Sequence, residues 1–180
     1  DRTFIGSPHP DFTYGINMNF GYKSWDMSLF FSGVQGRDVY NYSKIFTDFP
    51  TFFNGNRSAR VLDSWTPQNT DAILPALSST ITNNESSPNS YFVEDASYLR
   101  LKNLQIGYTL PETILDKIGM DQIRLYVQAS NLFTITDYNG MDPEIPILVA
   151  NGSVDNLTQG VDTAPYPMAQ VYTFGVNLKF

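Results

Sequence analysis

The sequence contains no cysteine. That excludes a disulfide framework and any thiolate metal site. It contains one histidine, His9, so a Ser-His-Asp triad would have a single candidate base. His9 lies between Pro8 and Pro10 in a loop-like stretch, and no catalytic role is expected there. Basic residues are scarce: 11 Lys and Arg against 18 Asp and Glu, a formal charge of -7. Nucleic-acid binding requires a basic footprint that this chain lacks. Charge of either sign is sparse, at 16%, against roughly a quarter in ordinary soluble domains. No run approaches the ~18 consecutive apolar residues of a membrane helix. A secretory leader is also missing, and Asp1-Arg2-Thr3 reads as the middle of a longer protein.

What the chain does have is aromatic side chains and a rhythm of two. Aromatics make up 14%, with 13 Phe and 11 Tyr, a composition suited to strands and interfacial belts. From Phe12 to Tyr22 every even position is apolar (Phe12, Tyr14, Ile16, Met18, Phe20, Tyr22), and Thr, Gly or Asn stands between. Successive side chains on a strand point to opposite faces, so this stretch reads as a strand with one greasy face. Lys23-Ser24 makes a tight turn into Trp25, Met27, Leu29 and Phe31, and the two runs form a hairpin. A third run places Leu104, Ile106 and Tyr108 on one face. Toward its start the alternation loosens, and strict period two puts Arg100 and Lys102 on that same apolar face. Pro111 and Gly119 bracket one or two helical turns. The fourth run sets Ile123, Leu125, Val127 and Ala129 against Arg124, Tyr126, Gln128 and Ser130. The fifth, Val171 to Phe180, is apolar at every even position to its last residue.

The expected strands are therefore about 12–22, 25–33, 98–109, 122–133 and 170–180, with long irregular loops at about 34–97 and 134–169. Turn signals such as Asn54-Gly55 and a polar stretch at 80–90 mark the first loop. No linker divides the chain into domains.

Alternation alone is compatible with a soluble β-sandwich. Strand length, loop asymmetry and aromatic position favour a membrane wall. Eleven residues at ~3.3 Å each and a tilt near 45° rise about 25 Å, the height of an outer-membrane apolar band. Connections after the first and third runs are short, and those after the second and fourth are long, as in barrels with short periplasmic turns and long extracellular loops. Tyr22, Trp25, Tyr108 and Phe180 gather at the short-turn end, where a girdle would lie. Asp26, Arg124 and Lys179 fall on the polar face. Runs two and four would then travel outward, and the C-terminus would sit at the periplasmic rim. Five strands cannot close a barrel, and two long unpaired edges would remain. The fold expected is all-β: an antiparallel up-and-down meander, the C-terminal part of a larger transmembrane barrel. The competing reading is a secreted glycan-binding β-sandwich.

Thr173, Gly175, Leu178 and Phe180 resemble the C-terminal β-signal of bacterial outer-membrane proteins, which implies recognition by the barrel-assembly machinery. A longer series resembles SusC/RagA-like TonB-dependent transporters. It includes Ile5-Gly6-Ser7-Pro8, Ser64-Trp65-Thr66-Pro67, Asp95-Ala96-Ser97-Tyr98-Leu99-Arg100, Gly107-Tyr108-Thr109-Leu110-Pro111, Asn131-Leu132-Phe133-Thr134 and Tyr138-Asn139-Gly140-Met141-Asp142-Pro143-Glu144. The resemblance implies a 22-stranded barrel with an N-terminal plug, set in outer-membrane lipid. Its implied partners are a TonB complex acting on the absent plug and a SusD-like lipoprotein lid. The implied cargo is oligosaccharide or peptide.

No residue set here calls for a cofactor or a metal. Asp142 and Glu144 could pair as carboxylates or calcium ligands, but Asp-Pro is a plain turn former. Gly33 to Gly36 lacks the Lys-Ser/Thr of a phosphate loop. Trp65, Asn69 and Asp71 in the first long loop, with Tyr138, are candidates for ligand or partner contact at the rim. The competing role for Trp65 is to anchor its own loop.

Overall fold

The computed structural model of the chain describes residues 3–53, 55–80, 87–146, 149–150, 153–154 and 158–180. Asp1, Arg2, Asn54 and the 81–86 part of the polar stretch lie outside the described residues. In chain order the elements are β1 (Phe12–Tyr22), β2 (Trp25–Gln35), β3 (Asp38–Asn41), α1 (Lys44–Asp48), β4 (Val93–Asp95), β5 (Tyr98–Thr109), α2 (Glu112–Ile118), β6 (Gln122–Thr136), β7 (Val149–Ala150), β8 (Ser153–Val154), β9 (Val161–Asp162) and β10 (Val171–Lys179). Short 3-10 turns sit at Ala59–Asp63 and Ser90–Phe92.

The chain folds as two compact units. The sheet unit comprises Pro10–Gly36, Ser97–Asp137 and Pro167–Phe180. The loop unit comprises Arg37–Ala96 and Tyr138–Tyr166, with the stretch ending at His9. The absence of a dividing linker in the sequence does not make the chain one body. The two units interleave, so no single stretch separates them.

In the sheet unit the five long strands form one antiparallel sheet in the order β1-β2-β5-β6-β10. The β1–β2 hairpin turns through Lys23 at φ +53°, the left-handed conformation that tight two-residue hairpins require. Between β5 and β6, α2 starts after Pro111 and stops at Gly119, whose φ of +65° lets its N–H reach the Leu115 carbonyl. Glycine tolerates this cap because it has no Cβ.

Register brings most apolar residues of the five strands to one face, with Phe30 and Tyr126 on the other. Rows such as Met18–Leu29–Leu104–Ala129–Tyr172 and Phe20–Met27–Ile106–Val127–Phe174 run across it. The face is open: Ile16, Leu125 and Leu178 are 47%, 45% and 55% exposed. In a sandwich these side chains would meet in a dry interior, and here they do not.

The position of Arg100 departs from strict alternation. Phe30 pairs with Asn103 but Phe31 pairs with Leu101, so Lys102 is an extra residue in β5. This β-bulge shifts the parity of everything before it. Leu101 and Leu99 continue the apolar face, opposite Phe31 and Gly33. Arg100 turns to the polar face, where its Nε donates to Thr134 Oγ1 at 2.8 Å. On the other side of β5, Asn103 pairs with Ser130 and Leu101 with Phe133, and Asn131 takes a φ of +53°. Its amide donates to the Ala169 carbonyl at 3.1 Å. This second irregularity lies just short of residue 133, where the sequence pattern suggested the strand would end. β6 continues past it to Thr136.

The stretches expected as irregular loops instead build the loop unit. Its sheet, in the order β4-β3-β9, pairs β3 with β4 antiparallel and with β9 in parallel. β7 and β8 pair as a small ribbon. Ile45, Phe49, Leu74 and Phe92 form one buried cluster, and Val39, Ala96 and Tyr138 another. These residues come from short elements with no sustained period, so periodicity does not announce them.

Candidate functional site

The polar face of the sheet carries one row of unusual composition: Gly21, Asp26, Gly107, Tyr126 and Gly175, each directly opposite the next. Gly107 and Gly175 leave troughs that large side chains fill, whereas a Cβ at Gly21 would meet nothing within 4 Å. Arg124 lies across Gly107, where a Cβ would collide with its guanidinium. From there its Nε donates to Asp26 Oδ1 at 2.9 Å, and its second nitrogen reaches Asp26 Oδ2. This pair spans β2 and β6 over the intervening strand. Tyr126 leans the other way, over Gly175.

The four β-signal residues divide by face. Thr173 and Gly175 lie opposite Gln128 and Tyr126 on the polar side, and Leu178 pairs with Ile123 on the apolar side. Phe180 is 90% exposed. At the same end, Tyr22, Trp25 and Tyr108 occupy one row, and the Trp25 and Tyr108 rings are 4.7 Å apart.

In the loop unit the rim candidates separate. Trp65 is exposed, while its backbone N–H donates to the Leu74 carbonyl at 2.9 Å. Asn69 turns back on its own loop, donating to Asp63 Oδ1 at 2.7 Å and closing a small turn with Thr66. Asp71 is exposed. Tyr138 does not belong at a contact surface: it is buried, and its hydroxyl donates to Asp162 Oδ2. A phenol needs such a partner once its ring is buried. Burial, followed by the Asp162 carboxylate, pushes its pKa upward. Asp142 accepts the Glu144 N–H at 2.9 Å, the geometry of an Asx turn.

Sequence reasoning missed a polar network centred on Asp48, which is fully buried. Arg60 grips its carboxylate with Nε and a terminal nitrogen at 3.2 and 3.1 Å, Tyr91 donates at 2.6 Å, and Thr47 at 2.9 Å. Burial and then the Asp48 carboxylate raise the Tyr91 pKa. Beside it, Lys44 pairs with Glu94 at 2.6 Å and lies 4.3 Å from the Tyr91 ring centre. Asn139 donates to Glu94 through its backbone and side-chain nitrogens, at 3.0 and 3.3 Å. Burial would raise the Glu94 pKa, but Lys44 and Asn139 outweigh it and hold the carboxyl below its ordinary value. These residues lie far apart in sequence, and no spacing rule connects them. A cavity of about 410 Å³ opens elsewhere in this unit, lined chiefly by Ile5, Pro8, Val39, Tyr40, Tyr42 and Val161.

Comparison with known proteins agrees with this geometry. No family model matches the chain. Over its whole length it is 40% identical to TonB-dependent receptor P3 of Formosa agariphila and 34% identical to TonB-dependent receptor P26 of the same organism. It is 25% identical to TonB-dependent receptor SusC of Bacteroides thetaiotaomicron. The chain spans 16% to 18% of these relatives. Among solved structures, the RagAB peptide importer in its closed-closed state superposes over 98% of this chain and 18% of its own, with a TM-score of 0.74 and 28% identity. The open-open state gives 0.73 at 27% identity. The sheet is thus a section of the wall of a TonB-dependent barrel. More narrowly, the chain belongs with the SusC/RagA-like TonB-dependent receptors.

Proposed function

We propose that this chain is part of the barrel wall of an outer-membrane TonB-dependent importer of large nutrients. The observation that carries the reading is the continuous, exposed apolar face on five long strands, opposite a polar face with a paired Arg124 and Asp26. In lipid the apolar face contacts hydrocarbon and the polar face lines the lumen. A TonB complex energises transport through a plug outside this chain. A SusD-like surface lipoprotein covers the barrel and delivers oligosaccharide or peptide; the structural neighbour RagAB is a peptide importer. The short β1–β2 and β5–β6 connections face the periplasm, with Phe180 at that rim, and the long β2–β5 and β6–β10 connections leave from the other ends of the strands. Thr173, Gly175, Leu178 and Phe180 serve barrel assembly, and Trp65, Asn69 and Asp71 are the rim residues left for partner or cargo.

Two substitutions in the intact protein test the face assignment. Leu125→Arg places a cation in hydrocarbon, at a cost of ~2–4 kcal/mol near mid-depth, and should remove the protein from the outer-membrane fraction. Gln128→Arg faces the lumen and should assemble normally. Equal surface levels of the two variants would refute the assignment.

A further inference from the structure

Each strand pairing has to be held in one register, and the five strands are not equally constrained. The β1–β2 hairpin has a two-residue turn that sets its register. β6 and β10 are joined through residues 137–170, far too long a connection to set anything. The apolar alternation fixes only which face each side chain takes, because a one-residue slip inverts the faces. A two-residue slip keeps every apolar residue of β10 on the apolar face and preserves the backbone hydrogen-bond pattern. Neither composition nor backbone pairing discriminates against it.

At its two ends β10 is held by the Asn131 side-chain amide on the Ala169 carbonyl, the Gln170 amide on the Leu132 carbonyl and the Asp121 N–H on the Lys179 carbonyl. Within the strand itself, one steric contact breaks the degeneracy. Tyr126 is directly opposite Gly175, and its ring occupies the space where a Cβ at 175 would stand. Gly175 is accordingly the one residue of β10 that is not exposed. Slipping β10 by two residues in either direction would place Thr173 or Asn177 opposite Tyr126, and each carries the Cβ that the ring excludes. Across β6 the same row has Gly107, which is covered by Arg124 rather than Tyr126. The Tyr126 ring therefore has its seat on the β10 side.

We propose that Tyr126 and Gly175 form a ring-in-socket lock that sets the register of β10 on β6 during barrel assembly. Within the β-signal, Gly175 then contributes to assembly by seating this chain's own Tyr126. The inference rests on the sheet alone and requires neither the lid nor the cargo.

The chain lacks cysteine, so introduced pairs within it report register directly. In the intact receptor, assembled in cells, Leu125→Cys with Val176→Cys joins residues that face each other in the native register. Leu125→Cys with Phe174→Cys, or with Leu178→Cys, reports the two slipped registers. Gly175→Ala should lower the native cross-link about five-fold or more, as overpacking does, with slipped products or loss of assembled protein. Adding Tyr126→Ala should return the native cross-link to the level of Tyr126→Ala alone, itself at least half of wild type. Native-level cross-linking in Gly175→Ala would overturn the proposal. So would a Gly175→Ala defect that Tyr126→Ala does not relieve, because the glycine would then be read by something other than Tyr126. A Tyr126→Ala protein as defective as Gly175→Ala would also overturn it. None of these outcomes depends on transport activity, so the proposal can fail while the importer reading stands.

Discussion

Arg124 and Tyr126 are two positions apart on one face of β6, yet they lean to opposite neighbours, each over a glycine. Local packing of this kind determines which charges a single-layer sheet can carry. At Glu94 the decisive effect is electrostatic. Its folded-state pKa lies below the ordinary value of about 4.3, held there by Lys44 and Asn139 against the effect of burial. A carboxyl with a depressed folded pKa stabilises fully above its unfolded pKa. That contribution is lost as pH falls through the folded value. Amide exchange in β4 and α1, corrected for intrinsic rates, should therefore accelerate on acidification from about pH 6 to below about pH 4. Glu94→Gln should exchange faster at neutral pH and show a smaller acid step. An unchanged step in that variant would assign the acid sensitivity to another carboxylate.

At the scale of the element, the bulge at Lys102 decides the faces of β5. Without the extra residue, Arg100 would continue the parity of Leu104 and point to the apolar side. With it, Arg100 is buried on the polar side against Thr134. Deleting Lys102 from the intact protein should therefore drive Arg100 toward lipid or shift the pairing of 98–101 by one residue. Either result breaks the Arg100–Thr134 hydrogen bond, and the lipid-side penalty is smaller than the ~2–4 kcal/mol of a mid-depth arginine because Arg100 lies near one end of β5. Loss of heat-resistant, folded protein from outer-membrane fractions is the expected readout, whereas Lys102→Ala, which keeps the residue count, should be mild. The long strands were legible because period two persists over seven residues or more, Asn103 to Thr109 in β5 being the shortest run. The bulge was not legible as such. It showed only as a place where alternation failed, and whether an irregularity is an extra residue or the end of a strand depends on the partner strand.

For the whole molecule, the sheet leaves β1 and β10 at its edges, each with pairing groups unused on one side among the described residues. Open edges of this length invite aggregation unless other strands cover them, and a larger barrel supplies those strands. Phe180 lies just beyond the end of β10 and is almost fully exposed. Removing it from the intact protein should lower outer-membrane levels several-fold, with unassembled chain accumulating in the periplasm. Pulse-chase measurement of folded barrel would detect this, and normal kinetics would remove the β-signal role.

The sequence by itself determined the five strands, their antiparallel order, the faces of most residues and the kinship with the SusC/RagA-like receptors. All of these depend on residues close together or on motifs met in order along the chain. Tertiary structure alone decided that the expected loops are a packed unit, that Asp48 gathers Arg60, Tyr91 and Thr47, that Tyr138 is buried, and that Tyr126 sits on Gly175. Each of these depends on partners brought together across long stretches of chain, and neither periodicity nor local propensity carries that information.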